Sequence, residues 1–162
     1  MKVKIGDYKD EGERDISVKI DKWDTWSMDH TLALIVHPML IQLRDTTNGA
    51  PFIPFEDRPK HLIGTVPVRE RGEIDEFHEQ AWDWVLTEMI HAFDSKINED
   101  WQEQFWSGEA DWSVEETDSD FTKMVKGPNH TLECDIEGMQ IYQDRISNGF
   151  RLFGKYYENL WD

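Results

Sequence analysis

The stretch Glu73–Ile97, "EIDEFHEQAWDWVLTEMIHAFDSKI", decides the fold of this chain. Large apolar side chains recur in it every three or four residues, and most positions between them are polar or acidic. That period is typical of an amphipathic helix with one buried face, so we predict a helix over residues 73–97. The apolar positions are Phe77, Trp82, Val85, Met89, Ile90, Phe93 and Ile97.

Two other segments of the 162-residue chain show the same helical period. The pattern predicts one helix over residues 28–43 and another over residues 136–160. Asp135 is a suitable N-cap for the latter, because its carboxylate can accept from the free backbone amides of the first turn. The first apolar stripe consists of Met28, Leu32, Ile35, Val36, Met39 and Leu43. The second consists of Met139, Tyr142, Ile146, Phe150, Phe153, Tyr157 and Leu160.

Short segments with alternating apolar and polar residues flank these helices. Residues 2–20 alternate around a turn-rich centre and predict an N-terminal hairpin, and residues 110–135 predict a meander of three short antiparallel strands in the C-terminal half. Residues 45–71 contain four prolines and predict an irregular connection. The predicted fold class is α+β, a single domain over residues 1–162 with three main amphipathic helices packed on small antiparallel sheets.

The negative charge of the chain is concentrated in its middle third. The sequence has 17 basic and 34 acidic residues, a net charge of −17. Residues 72–122 hold sixteen of the acids and one base, which gives −15 for that part alone. So large a charge repels nucleic acid and membrane surfaces and attracts basic protein surfaces or cations. Direct nucleic-acid binding is therefore not expected. No apolar run approaches the roughly 20 residues that span a bilayer, so a membrane protein is not expected either.

The N-terminal residues and the cysteine content indicate the compartment. The first ten residues lack the apolar core of a secretory signal, so we do not expect export. The single Cys134 has no partner for an internal disulfide, which is typical of a reducing compartment. A cytoplasmic location is therefore expected.

The stretch 98–120, "NEDWQEQFWSGEADWSVEETDSD", combines nine carboxylates and three tryptophans with no lysine or arginine. Two interpretations of this acidic, Trp-rich segment stay open. In the first, its aromatic residues insert into the protein's own core, and Trp106 is favoured for that role. In the second, the carboxylates attract a basic partner and the indoles supply buried contacts, with Trp112 favoured as exposed. The candidate partner-binding residues are Trp101, Glu103, Trp106, Glu109, Asp111, Trp112, Glu115 and Glu116.

A metal site is a further candidate. Glu88 and His91 have the E-x-x-H spacing that di-iron helical bundles use twice. Asp29 and His30 would complete a carboxylate–histidine set if the first two helices converge. The alternative is that His91 flanks the core and Glu88 faces solvent. The sequence has no calcium-loop spacing, glycine-rich phosphate loop or G-x-S-x-G motif, so we predict no cofactor and no catalytic residue, and an enzyme is the less favoured class.

Three blocks of the sequence resemble a family of uncharacterised proteins encoded by tailed bacteriophages. The blocks are "IDKWDTWSMDHTLALI" (residues 20–35), "WDWVLTEMIHAF" (82–93) and "RISNGFRLFGKYYENLW" (145–161). The resemblance implies a viral protein that is made in an infected bacterium and acts in the host cytoplasm or in the virion. It brings no established activity and no catalytic residues.

The expected function combines this context with the charge pattern. We expect a non-enzymatic phage accessory protein whose acidic, aromatic face binds a basic surface of a host protein. A nucleic-acid-binding or defence protein is the natural target, because rows of carboxylates can stand in for DNA phosphates. One alternative is a virion or assembly component, a homo-oligomer in which the aromatic blocks pack against copies of the same chain. The other is a metal-dependent or nucleotide-handling enzyme.

Overall fold

The fold is α+β, as predicted. A computed structural model of the chain describes residues 1–9, 12–64, 74–116 and 122–161. Within these ranges, three long helices supply most of the core, and six short strands form three separate two-stranded antiparallel sheets. No helix in the described part of the chain is long and apolar enough to cross a membrane.

The three long helices are α1 (Met28–Thr46), α2 (His78–Ile97) and α3 (Ile136–Lys155). Of these, α2 is the shared partner, since it packs against both α1 and α3. The apolar residues of α2 therefore form a buried surface wide enough to contact both α1 and α3. The apolar α2 residues that are buried are Ala81, Trp82, Val85, Leu86, Met89, Ala92 and Phe93. Short 3-10 segments lie at Phe55–Asp57, Lys60–Leu62, Glu99–Phe105 and Tyr157–Asn159.

Helix α2 begins at His78, later than the predicted Glu73, which lies outside the described residues. Asp75 supplies a physical reason for the later start. Its carboxylate accepts a hydrogen bond from the backbone N–H of Phe77 (2.9 Å) and forms an ion pair with Arg58 (2.7 Å), in which both side chains are buried. These bonds hold the chain in a turn just before the helix, because the side chain competes with helical backbone bonding.

Helix α1 buries only one edge of the predicted stripe, where Val36 and Leu43 pack against the core. Its buried residues are Ala33 and Leu40, whereas Met28 and Met39 of the predicted stripe are more than half exposed. The small side chain of Ala33 explains the choice, because it permits a closer approach of a neighbouring helix than methionine or leucine would. As a result, α1 has apolar residues both on its core side and on a solvent-facing side.

The six strands are β1 (Lys2–Tyr8), β2 (Arg14–Lys19), β3 (Trp106–Ser107), β4 (Trp112–Glu116), β5 (Thr122–Lys126) and β6 (Glu133–Cys134). The pair β1–β2 is the predicted hairpin, and β4 pairs with β5. The last strand, β6, does not continue that sheet as the predicted meander requires; it pairs with β3. The backbone N–H of Thr131 donates to the carbonyl of Glu109 (3.0 Å), which directs the chain back toward β3.

The proline-rich connection, of which residues 45–64 are described, is held to α3 by the buried carboxylate of Asp57. This carboxylate accepts a hydrogen bond from the Tyr156 hydroxyl (2.6 Å) and lies 2.6 Å from Lys155 Nζ and 2.7 Å from Arg151 Nη2. Burial raises the pKa of Asp57, but the hydrogen bonds from these three side chains outweigh burial and hold the pKa below its usual value. Burial and the bond to Asp57 raise the pKa of Tyr156, so the phenol stays protonated as a donor.

Candidate protein-interaction surface

The acidic segment starts with the 3-10 helix Glu99–Phe105, which aromatic contacts fix to α3. The Trp101 indole stacks on the Tyr142 ring with 4.8 Å between centroids, and the Phe105 ring meets the same tyrosine edge-on at 5.8 Å. Trp101 and Phe105 are both partly buried. These two residues therefore anchor the segment to the protein's own body, as the first interpretation expects.

The other two tryptophans of the segment are half exposed. Trp106, in β3, and Trp112, in β4, each leave 49% of their surface accessible. The Trp112 ring packs against His130 at 4.4 Å between centroids, which orients the indole without covering it. The expectation that Trp106 is a core residue is wrong, because the short β3–β6 pair leaves Trp106 half exposed and Cys134 only partly buried. The expected exposure of Trp112 is confirmed.

The carboxylates of the segment differ in exposure and in their contacts with the rest of the chain. Glu103, Glu109 and Glu115 are exposed. Asp111 is partly buried, and its carboxylate accepts a hydrogen bond from the backbone N–H of Asn129 (2.9 Å), so it fixes the turn before β6. For Glu116 the structure describes the backbone as part of β4 and leaves the side chain undescribed.

Charge is not uniform along this surface. Residues 98–116 contain seven acids and no lysine or arginine. Strand β5 then places Lys126 opposite Trp112 and Lys123 opposite Glu115. Opposite charges on neighbouring strands compensate each other, so among the described residues of the segment the least compensated carboxylates lie toward the 3-10 helix and β3.

Glu88, the first metal-ligand candidate, is committed to another partner. It is buried in α2, and its carboxylate accepts two-pronged hydrogen bonds from Arg145 of α3, with Nη2 at 2.7 Å from Oε1 and Nε at 3.0 Å from Oε2. The hydrogen bond to Glu88 raises the pKa of Arg145. A buried carboxylate in such a pair is compensated in charge, so it has no need of a metal ion.

The other candidate ligands do not form a site with Glu88. His91 meets the edge of the Tyr142 ring at 4.9 Å between centroids, and burial followed by the nearby charge of Arg145 lowers the pKa of this histidine. His30 Nδ1 donates to the carbonyl of Lys96 (2.9 Å), and Lys96 Nζ pairs with Asp29 (3.1 Å). Among the described residues, no group of three or more His, Cys, Asp or Glu side chains lies close enough to hold a metal.

Sequence reasoning missed the buried polar partners. Arg145 stands in the second half of the chain, 57 residues from Glu88, and no local pattern relates the two. For the other buried group, the sequence offers only the adjacency of Asp57 and Arg58 between Pro54 and Pro59.

The described residues therefore combine a segment of exposed indoles and carboxylates with buried ion pairs that hold the fold. Comparisons with protein-family models, with curated proteins and with solved structures find no match to this chain. The function must therefore be inferred from the geometry and charge of the surface itself.

Proposed function

We propose that this chain is a non-enzymatic accessory protein of a tailed bacteriophage that binds a basic surface of a host protein through residues 98–116. The observation that carries the proposal is the half exposure of Trp106 and Trp112 within a stretch of seven carboxylates and no basic residue. Tryptophan is strongly enriched among the residues that dominate the energy of protein interfaces. The resemblance of three sequence blocks to phage proteins supplies the viral context.

The two kinds of side chain have different tasks in this proposal. The carboxylates attract a basic surface over a distance and raise the rate of association. The indoles lose their remaining water on contact and slow dissociation, since aromatic burial supplies most of the energy at an interface centre. A host protein that binds nucleic acid, or a defence protein, presents the required basic surface, and the host cytoplasm is where the two meet.

The test compares variants in capture from infected-cell lysate at about 0.1 M salt, followed by kinetics with the captured protein. Replacing Glu103, Glu109 and Glu115 together with glutamine should slow association and flatten its dependence on salt. Trp106→Ala or Trp112→Ala should instead speed dissociation, with a loss of about 2 kcal/mol in binding free energy if either residue is an interface centre. Asp111 is left unchanged because it fixes a turn.

Matched controls distinguish the segment from general acidity and general aromaticity. Glu137→Gln, Asp144→Asn and Glu158→Gln remove the same number of exposed charges outside the segment, and Trp161→Ala removes another exposed indole. The proposal predicts that these four changes leave binding intact. Equal loss of binding in both sets, or no basic protein retained by the wild type, would contradict it.

A virion or assembly component is the second candidate, and the aliphatic residues exposed on the β1–β2 hairpin favour it, because a surface of this kind suits contacts between subunits. Mass spectrometry of purified particles separates the candidates. Tens of copies per particle would assign the chain to the virion, and its absence from particles would support the host-directed role.

A further inference from the structure

The N-terminal hairpin exposes its apolar face instead of burying it. In the register of β1 and β2, Val3 lies opposite Val18 and Ile5 opposite Ile16, so these aliphatic side chains share one face. Together with Ile20 they are 42–66% exposed. A two-stranded ribbon is marginally stable in water unless its apolar face packs on something. The hairpin therefore needs a cover that the described part of its own chain does not supply.

A second uncovered apolar surface lies on α1 and continues into a cleft. Met39 is 62% exposed on the solvent side of α1, and Met28 and Leu32 are exposed along the same side. Beside it, a cleft of about 1060 Å³ separates α1 from the end of α3 and from Tyr157. Tyr8 of the hairpin lies at the margin of this cleft, so the two apolar surfaces adjoin.

We propose that these two surfaces cover each other between two copies of the chain. The hairpin of each copy lies over the α1 side and cleft of the other, related by a two-fold axis. A two-fold interface is reciprocal, so one contact type, used twice, removes both exposed surfaces from water. A foreign partner would have to present two different apolar shapes to do the same.

The size of the surface fits this assembly. About ten exposed apolar side chains lie on the hairpin, on α1 and around the cleft, and each loses roughly 50–100 Å² of accessible area when buried, which approaches the roughly 800 Å² per partner of a stable dimer. The contributing residues are Val3, Ile5, Tyr8, Ile16, Val18, Ile20, Met28, Leu32, Met39 and Tyr157.

Charge also permits a second copy as the occupant. The hairpin as a whole, residues 2–19, carries five bases and five acids and is neutral, so the net charge of −17 lies on the other residues of the chain. The acidic body of another copy therefore does not repel the hairpin. The dimer contact depends on burial of apolar side chains, whereas the acidic segment favours a basic partner.

The experiment is sedimentation equilibrium of the full chain, with two charged variants that damage opposite sides of the contact. Ile16→Glu lies on the hairpin and Met39→Glu on α1, and either change places a charge in both contacts of a homodimer. We expect each variant to lose at least about a hundredfold in dimer affinity. Ser17→Glu is the matched control, because it adds the same charge to the polar face of the same strand and should leave the dimer intact.

Mixing the two variants tests the reciprocal arrangement. A mixed pair retains one undamaged contact, formed by the hairpin of Met39→Glu and the α1 surface of Ile16→Glu, so heterodimers should reappear.

A wild type that stays monomeric to about 100 µM, near the weak end of specific association, would overturn the proposal. So would a Met39→Glu dimer of full strength, or a mixture that stays monomeric. Circular dichroism checks that each variant folds. If a glutamate variant loses helix, the alanine variant at the same position, Ile16→Ala or Met39→Ala, takes its place. No host partner enters the experiment, so its result is independent of the proposed function.

Discussion

At the scale of single residues, the buried charges were beyond the reach of sequence analysis. Glu88 looked like a solvated or metal-binding residue, because its position in the helical period says nothing about which cation lies across from it. The structure pairs it with Arg145, and it pairs Asp57 with Arg151 and Lys155. Each pair joins positions that only the packing of α3 against the rest of the chain brings together.

His91 makes stability depend on pH. Its pKa is lowered from the ordinary value of 6.5 by burial and by the charge of Arg145, while Glu88 and Asp94 act in the opposite direction. Between the folded pKa and 6.5, the unfolded chain binds a proton that the folded chain does not. The stability contributed by neutral His91 is therefore fully present above about pH 6.5 and is lost as pH falls through that value toward the folded pKa.

Replacement of the imidazole tests this linkage. Denaturant unfolding at pH 8 and at pH 5 gives the loss of stability on acidification, and His91→Gln should lose less than the wild type because it has no proton to take up. The exposed His61 supplies the control, and His61→Gln should match the wild type at both values. An identical loss in the wild type and His91→Gln would show that this histidine is not the titrating group.

At the scale of elements, periodicity predicted which segments form helices but not always which side they bury. For α3 the Asp135 cap was right, since the Asp135 carboxylate accepts from the backbone N–H of Gly138 (2.9 Å). The helix, however, ends at Lys155 and not at residue 160, and Tyr157 of the predicted stripe is 65% exposed. For α1 only one edge of the predicted stripe, Val36 and Leu43, packs against the core, because a small residue, Ala33, decides where the neighbouring helix fits. Hydrophobicity alone therefore locates an element better than it orients one.

Gly149 sets the distance between α2 and α3. A Cβ atom at this position would collide with the carbonyl of Glu88 and lie 2.6 Å from the Cβ of Ala92. Gly149→Ala must push the helices apart, and overpacking of this kind costs roughly 1–3 kcal/mol of unfolding free energy. Gly154→Ala is the control in the same helix, since no atom lies within 4 Å of its added Cβ. It should raise stability by up to about 1 kcal/mol.

Denaturant unfolding of the two glycine variants gives opposite signs if helix contact governs the first. Two stabilised variants would mean that α2 and α3 do not approach closely at Gly149. Gly149 and Gly154 are the fourteenth and nineteenth of the twenty residues of α3. Replacing glycine with alanine raises helix propensity at both positions, so propensity cannot account for a difference of sign.

At the scale of the whole molecule, charge and exposed apolar surface overlap only in part. The segment 98–116 carries seven carboxylates, two half-exposed indoles and the exposed Val114, whereas the hairpin and α1 carry aliphatic side chains. Composition predicted the charge and its location, because counting requires no fold. It did not predict the uncovered hairpin, because alternation in a strand shows that one face is apolar and leaves open whether the chain can cover that face.

The two proposed contacts should therefore respond to salt in opposite directions. Each copy carries −17, so two copies repel at long range, and the hairpin, with five bases and five acids, does not offset that repulsion. Raising ionic strength from about 0.1 M to 1 M shortens the Debye length from about 10 Å to about 3 Å and removes most of that repulsion. Burial of aliphatic side chains is not weakened by this screening. We expect the dimer to tighten with salt in sedimentation equilibrium, while a complex with a basic host protein loosens in the same buffers. A dimer that loosens with salt would show that the lysines of the hairpin, rather than its aliphatic face, hold the copies together.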